Sequence, residues 1–204
     1  MSTISNHSQM SGRSMLEMIG VLTIIGVLSA GGIVSYSKAM RRYRLNETIS
    51  QIAVMATNIR SFYGNTDNYE SFNAQTAIKY NIATERMIGT DNALVNEYKG
   101  DIIISLGKAS RNGPDNTAFI LTYTNLPVEA CVGLALTDWG YHEEYGFLGV
   151  SVGYGNQEPN YPDTPDNYFI ENRQRKPMSI TEAAQHCNGT DVVQAISKVS
   201  LKFY

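Results

Sequence analysis

From residue 18 to residue 37 the chain carries no charged side chain, only Ile, Leu, Val, Met, Gly, Ala, Ser, Thr and one Tyr over 20 positions. A helix of that length rises about 30 Å, the hydrocarbon thickness of a bilayer. Beyond Ser37 the pattern changes period without a break. Leu45, Ile49, Ile52, Ala56, Ile59 and Tyr63 recur at steps of four and three, which makes one apolar stripe. Arg41, Arg42, Arg44, Glu47, Gln51 and Asn58 fall largely off it, and Gly64-Asn65 supplies the stop. The prediction is a single helix over residues 13–64, with a lipid-soluble half (18–37) and an amphipathic half. The stripe covers under three heptads, too short for a coiled coil to be favoured over packing on the chain's own globular part.

The remainder, residues 65–204, reads as one globular head. Residues 74–80 and 92–98 are expected as short helices. Residues 101–106 and 117–124 are β-branched and aromatic and flank the turn-rich 111–116, a hairpin pattern. Pro127 opens a helix that carries Glu129 and Cys131 and closes near 138–140. A strand follows at 146–154, then a loop at 155–167 rich in Pro, Asn and Asp. Ser179 and Glu182 stand at capping-box spacing before Ala183, Ala184 and Cys187, with Asn188-Gly189 as the stop. Val199, Leu201 and Phe203 alternate with Ser200 and Lys202 in a last strand. The expected class is α+β: a long N-terminal helix packed on an antiparallel sheet head.

Charge divides the chain. Residues 1–60 hold six Lys/Arg against two Glu, a net +4, and residues 61–204 hold ten against seventeen acids, a net −7. An acidic head argues against nucleic-acid binding. The basic residues Lys38, Arg41, Arg42 and Arg44 follow the apolar run and only Arg13 precedes it, so charge bias alone would place the C-terminal side in the cytoplasm.

Catalytic and metal chemistry finds no pattern to rest on. His142-Glu143-Glu144 lacks a second histidine four residues on, His186 lacks companion ligands at zinc spacing, and Gly149, Gly153 and Gly155 precede no phosphate-loop lysine. Glu158, Asp163 and Asp166 could face calcium, but not at EF-hand spacing. Neither an enzyme nor a cofactor is expected.

What stands out is the order of parts at the N-terminus. A polar leader, residues 1–12, ends in Gly12; Arg13 follows, Glu17 lies five residues beyond the glycine, and the apolar run begins at once. This resembles the class III signal of type IV prepilins and type II secretion pseudopilins. The resemblance implies cleavage after Gly12 by a prepilin peptidase, N-methylation of Arg13, a role for Glu17 in filament assembly, an inner-membrane assembly platform and other pilin subunits as partners. The usual first mature residue is Phe, Met or Leu, and the usual leader is basic; here they are Arg13 and a leader with His7 alone. An ordinary secretory signal cut at Ala30 is the competing reading. Leu28 two positions before Ala30, Glu17 at the head of the apolar run and a helical period that continues past Ala30 all speak against it.

With an exported N-terminus, the chain's two cysteines, Cys131 and Cys187, read as one disulfide in an oxidising compartment, bounding a region at 131–187. Gly26, Gly31 and Gly32 weaken the apolar half by about 1 kcal/mol each relative to Ala; this chain has no proline there, so any melting of that segment falls to them. The helix, the sheet and the wide cysteine spacing look like the type IVb pilins. The expected function is a structural subunit of a fibre for adhesion, motility, conjugation or DNA uptake, held in the inner membrane with the head periplasmic before assembly and extracellular afterwards. A minor pilin or pseudopilin is one alternative; a membrane-anchored periplasmic binding module that never polymerises is another, and Glu17 separates them, since a mere anchor has no need of it.

Overall fold

A computed structural model describes residues 15–64, 66, 68–110, 113–140, 146–154, 179–187 and 197–204. The chain divides into two compact units, Met1–Arg42 and Tyr43–Tyr204. Helix α1, Met15–Tyr63, runs through the division unbroken. Its first half is exposed on every side: Leu16, Ile19, Leu22, Ile24, Val27, Leu28, Ile33 and Val34 all lie open. Two hydroxyls there bond the helix's own carbonyls, Thr23 donating to Ile19 O at 2.8 Å and Ser37 to Ile33 O at 2.9 Å.

In the second unit, α1 buries Thr48, Gln51, Ile52, Met55, Ala56 and Ile59, with Leu45, Ile49 and Tyr63 half-covered beside them. Gln51, placed off the apolar stripe by its polarity, is therefore inside. Its Nε2 donates to Glu97 Oε1 at 2.8 Å, which admits the amide to a core position.

Four antiparallel strands, β1 (Ile102–Gly107), β2 (Ala118–Leu126), β3 (Phe147–Tyr154) and β4 (Ser197–Phe203), form one sheet in the order β1-β2-β4-β3. The β1–β2 hairpin expected from sequence is present. The last strand lies in the middle, pairing with β2 on one side and β3 on the other. Register then sets the core. Phe119 opposes Phe203, Leu121 opposes Leu201 and Tyr123 opposes Val199, all fully or nearly fully buried. The Phe119 and Phe203 rings stack at 5.4 Å, and Phe147 meets Phe203 edge-on at 5.3 Å. Ser200, on the opposite face, is also buried, 2.9 Å from the hydroxyl of Thr122.

Between α1 and the sheet runs a connector with α2 (Ala74–Lys79), capped by Asn73 Oδ1 accepting from Thr76 N at 3.0 Å. Residues 92–98 are not the helix that composition suggested. Leu94 bridges Ile88 and Val95 bridges Asp101, with Leu94 and Asn96 buried and Asn92 and Lys99 at φ 54° and 64°. Two left-handed residues so close together break helical geometry, and the bridges recover the backbone bonds. Helix α3, Val128–Leu136, starts after Pro127 as expected but ends earlier than 138–140. Trp139 Nε1 reaches back to Leu134 O at 3.0 Å and occupies a carbonyl at the helix end. Helix α4, Ile180–Cys187, begins with the expected capping box: Ser179 N donates to Glu182 Oε2 at 2.9 Å and Glu182 N to Ser179 Oγ at 3.3 Å. Helix α3 packs on α4, β3 and β4, and α4 packs on β3. The Asn188-Gly189 stop and the loop at 155–167 lie outside the described residues.

Candidate functional site

Two features of the chain hold its candidate chemistry: the apolar half of α1 and the cysteine-linked helices. Gly12 and Arg13, the expected cleavage pair, lie outside the described residues, as do His142, Glu143, Glu144, Glu158, Asp163 and Asp166. Glu17 stands in the first turn of α1, exposed. An acid there is favoured by the partial positive charge of the helix N-terminus. Gly26, Gly31 and Gly32 are helical, and a Cβ at any of them would meet nothing within 4 Å. They are open ground on which another helix can approach closely. Among the described residues α1 alone is long and apolar enough to cross a membrane, which fits membrane anchoring.

Cys131 on α3 and Cys187 on α4 are bonded, with Cα atoms 5.8 Å apart and both side chains buried. Ser197 Oγ donates to Cys187 O at 2.8 Å, tying the bridge to the start of β4. Gly133, two residues past Cys131, lets α1 approach: a Cβ there would come 2.6 Å from Leu45 Cδ2. No group of three His, Cys, Asp or Glu at metal-binding distance occurs among the described residues.

A third feature escaped the sequence. Arg60, near the end of α1, donates Nε–H to Tyr204 O at 2.9 Å and lies over the Phe203 ring at 5.4 Å. Burial pushes its pKa down, against the opposing pull of Tyr69 and Tyr204. Nothing in the spacing of Arg60 distinguishes it from the basic residues of the solvated face.

The family model described as PilS N terminal matches residues 42–198. The chain belongs to the PilS family. Its fold is that of a type IV pilin, most similar to the type IVb branch. The crystal structure of the type IV b pilin from Salmonella typhi superposes with a TM-score of 0.53 at 17% identity, covering 76% of this chain and 97% of that one. TcpA, a type IV pilin from Vibrio cholerae El Tor biotype, gives 0.50 at 14% identity, covering 79% and 99%. No curated protein matches. At such identities the likeness resides in the fold: the long helix, the antiparallel sheet and the disulfide-linked helices of this pilin.

Proposed function

We propose that this pilin is a structural subunit of a type IVb-like pilus, held in the inner membrane by residues 18–37, cut after Gly12 and polymerised through α1. The observation that carries the reading is the apolar half of α1, a segment of 20 uncharged residues left uncovered by its own chain, continuous with a helix built into a pilin head. Lipid covers such a surface before assembly, and neighbouring helices cover it afterwards. The disulfide supports a periplasmic head, against the charge bias of Lys38, Arg41, Arg42 and Arg44, since stable bridges belong to oxidising compartments.

Glu17 is the charge that needs a reason. Insertion scales place an acid at a membrane helix centre at about 2.5–3.5 kcal/mol, less near the interface. Inside a helix bundle an unpaired carboxylate is costlier still. Pairing with the α-amino group freed at Arg13 of a neighbouring subunit would relieve that cost and mark the axial stagger. The test is Glu17→Gln, which keeps size and hydrogen bonding but removes charge. Intact mass should show normal loss of residues 1–12, and microscopy of sheared fractions should show few or no fibres. Parental fibre levels with unchanged processing would make Glu17 a helix cap and nothing more.

A further inference from the structure

Strand β1 ends the sheet, and its outer edge is open. Thr124 N on β2 donates to Asp101 O at 3.0 Å, which fixes the phase of the hairpin. Antiparallel pairing then points the backbone groups of Ile103, Ser105 and Gly107 at β2 and those of Ile102, Ile104 and Leu106 away from it. Ile102 N is taken by Leu94 O at 2.8 Å. Among the described residues nothing bonds the outward N–H and C=O groups of Ile104 and Leu106.

The usual protections of an edge are missing from it. Residues 102–107 read I-I-I-S-L-G, with no charge and no proline, and β1 keeps its register with β2 throughout. The opposite edge strand, β3, does carry an irregularity, between Phe147 and Gly149. An uncharged, unbulged edge is a template for another strand. Ile103 stands open on the sheet face away from α1, and Ser105 is half-covered beside it.

The edge is complementary to itself. Laid antiparallel with Ser105 opposite Ser105, two copies of β1 set Ile104 of each against Leu106 of the other. Those are the residues with free groups, and this register uses every one of them in both copies. The flanking charges agree with it. Exposed Asp101 precedes the strand and Lys108 follows it, so antiparallel pairing brings the acid of each copy to the lysine end of the other. That end also holds Lys202, whose Nζ lies 3.8 Å from a Cβ built on Gly107, and Asp115, 3.3 Å from Lys108. Two lysines against one aspartate suit an incoming acid. Lys99 and Glu97, earlier in the chain, line a cleft of the head and offset each other.

We propose that β1 pairs antiparallel with β1 of a second copy of this chain, Ile104 against Leu106 and Ser105 against Ser105. One strand pair buries less than the roughly 1,000 Å² of a stable interface, so single copies associate weakly. Copies held in an array associate strongly, because each further pair forms at high effective concentration. A two-fold contact closes on itself, so it links two arrays and does not extend one. That last step rests on the reading that the chain polymerises; the pairing itself does not.

The test uses the complete chain, unassembled, in detergent micelles. Its two cysteines are bonded to each other, so an added thiol has no native rival. Ser105→Cys should give a covalent dimer under mild oxidation, since directly opposed residues of a non-bonded pair have Cα atoms about 4.5 Å apart, within disulfide reach. Ile103→Cys should not, because two copies of that residue would stand about 14 Å apart along the strands. No dimer from Ser105→Cys, or as much from Ile103→Cys, would overturn the pairing. Ser105→Lys and Ser105→Glu then test the same position without a thiol, with thermal unfolding confirming that each is folded. By ultracentrifugation each should lose self-association through like charge, and mixing the two should restore it. A mixture no more associated than its components would also overturn the proposal. Fibre formation is scored separately by microscopy: fibres without the Ser105→Cys dimer defeat only this pairing, and the dimer without fibres upholds it and defeats the polymer reading.

Discussion

Arg60 Nε–H meets the carbonyl of Tyr204 at 2.9 Å, across 144 positions of sequence, and so fastens the last turn of α1 to the end of the central strand β4. Tyr204 N in turn donates to Gly146 O at 2.9 Å. Gly146 sits at φ 65°, where a Cβ would also come 2.5 Å from Arg60 Nη2. The last turn of α1, the end of β4 and the residue before β3 are therefore held as one knot. Arg60→Met should lower unfolding free energy by about 1.5–3 kcal/mol, the usual worth of a hydrogen bond to a charged group. Arg60→Lys should recover only part, because an ammonium stacks less well on the Phe203 ring than a planar guanidinium does. Chemical denaturation of the two variants checks this, and equal stability of Arg60→Lys and parent would dismiss the stacking.

The disulfide closes a loop with a sequence separation of 56. Chain entropy assigns such a bridge about 4 kcal/mol, a large part of the ~5–15 kcal/mol available to a domain. Cys187→Ser should leave α3 and α4 open to protease and reduce fibre yield. Limited proteolysis at matched concentration reads it, and a cleavage pattern like the parent's would mean the bridge is dispensable.

Tyr123 is the largest wholly buried side chain of β2, and its hydroxyl has no hydrogen-bond partner among the described residues. Burial drives its pKa far up, so it stays neutral at any working pH. Removing an unpartnered buried hydroxyl relieves desolvation without losing a bond. Tyr123→Phe should raise the unfolding midpoint by about 2–4 °C, the response to roughly 1 kcal/mol in a domain of this size. A fall in the midpoint, measured by calorimetry, would show that the hydroxyl is satisfied.

Glu182 accepts from the N–H and hydroxyl of Ser179 at 2.9 and 2.8 Å. Those bonds, foremost the backbone one, hold its pKa below the ordinary carboxylate value of 4.5, with His186 adding to the effect. A depressed folded pKa means stabilisation that is complete above the ordinary value and lost as pH falls through the lowered one. Amide exchange in α4 should therefore be faster in Glu182→Gln than in the parent at pH 6–7, which lies above the carboxylate range. The two should converge as the solution is acidified below that range. A difference that persists in acid would place the effect elsewhere.

What the sequence determined by itself was whatever depends on local periodicity and chain chemistry. Twenty uncharged residues make an apolar helix in any context, alternation in residues 199–203 makes a strand, and Ser179 with Glu182 makes a cap within one turn. The Gly12, Glu17 and apolar-run order carried the resemblance to pilins, and the PilS family match agrees with it. Tertiary structure decided what depends on partners distant in sequence. The placement of β4 between β2 and β3 buries Ser200 as well as Leu201. Gln51 enters the core because Glu97 waits there, and Arg60 leaves the solvated face because Tyr204 accepts from it. Residues 92–98 forgo the helix because isolated bridges and left-handed asparagine and lysine satisfy that backbone elsewhere. A hydrogen-bond partner 46 or 144 residues away leaves no trace in a local pattern, since periodicity records which face of an element is apolar and not which residue comes to meet it.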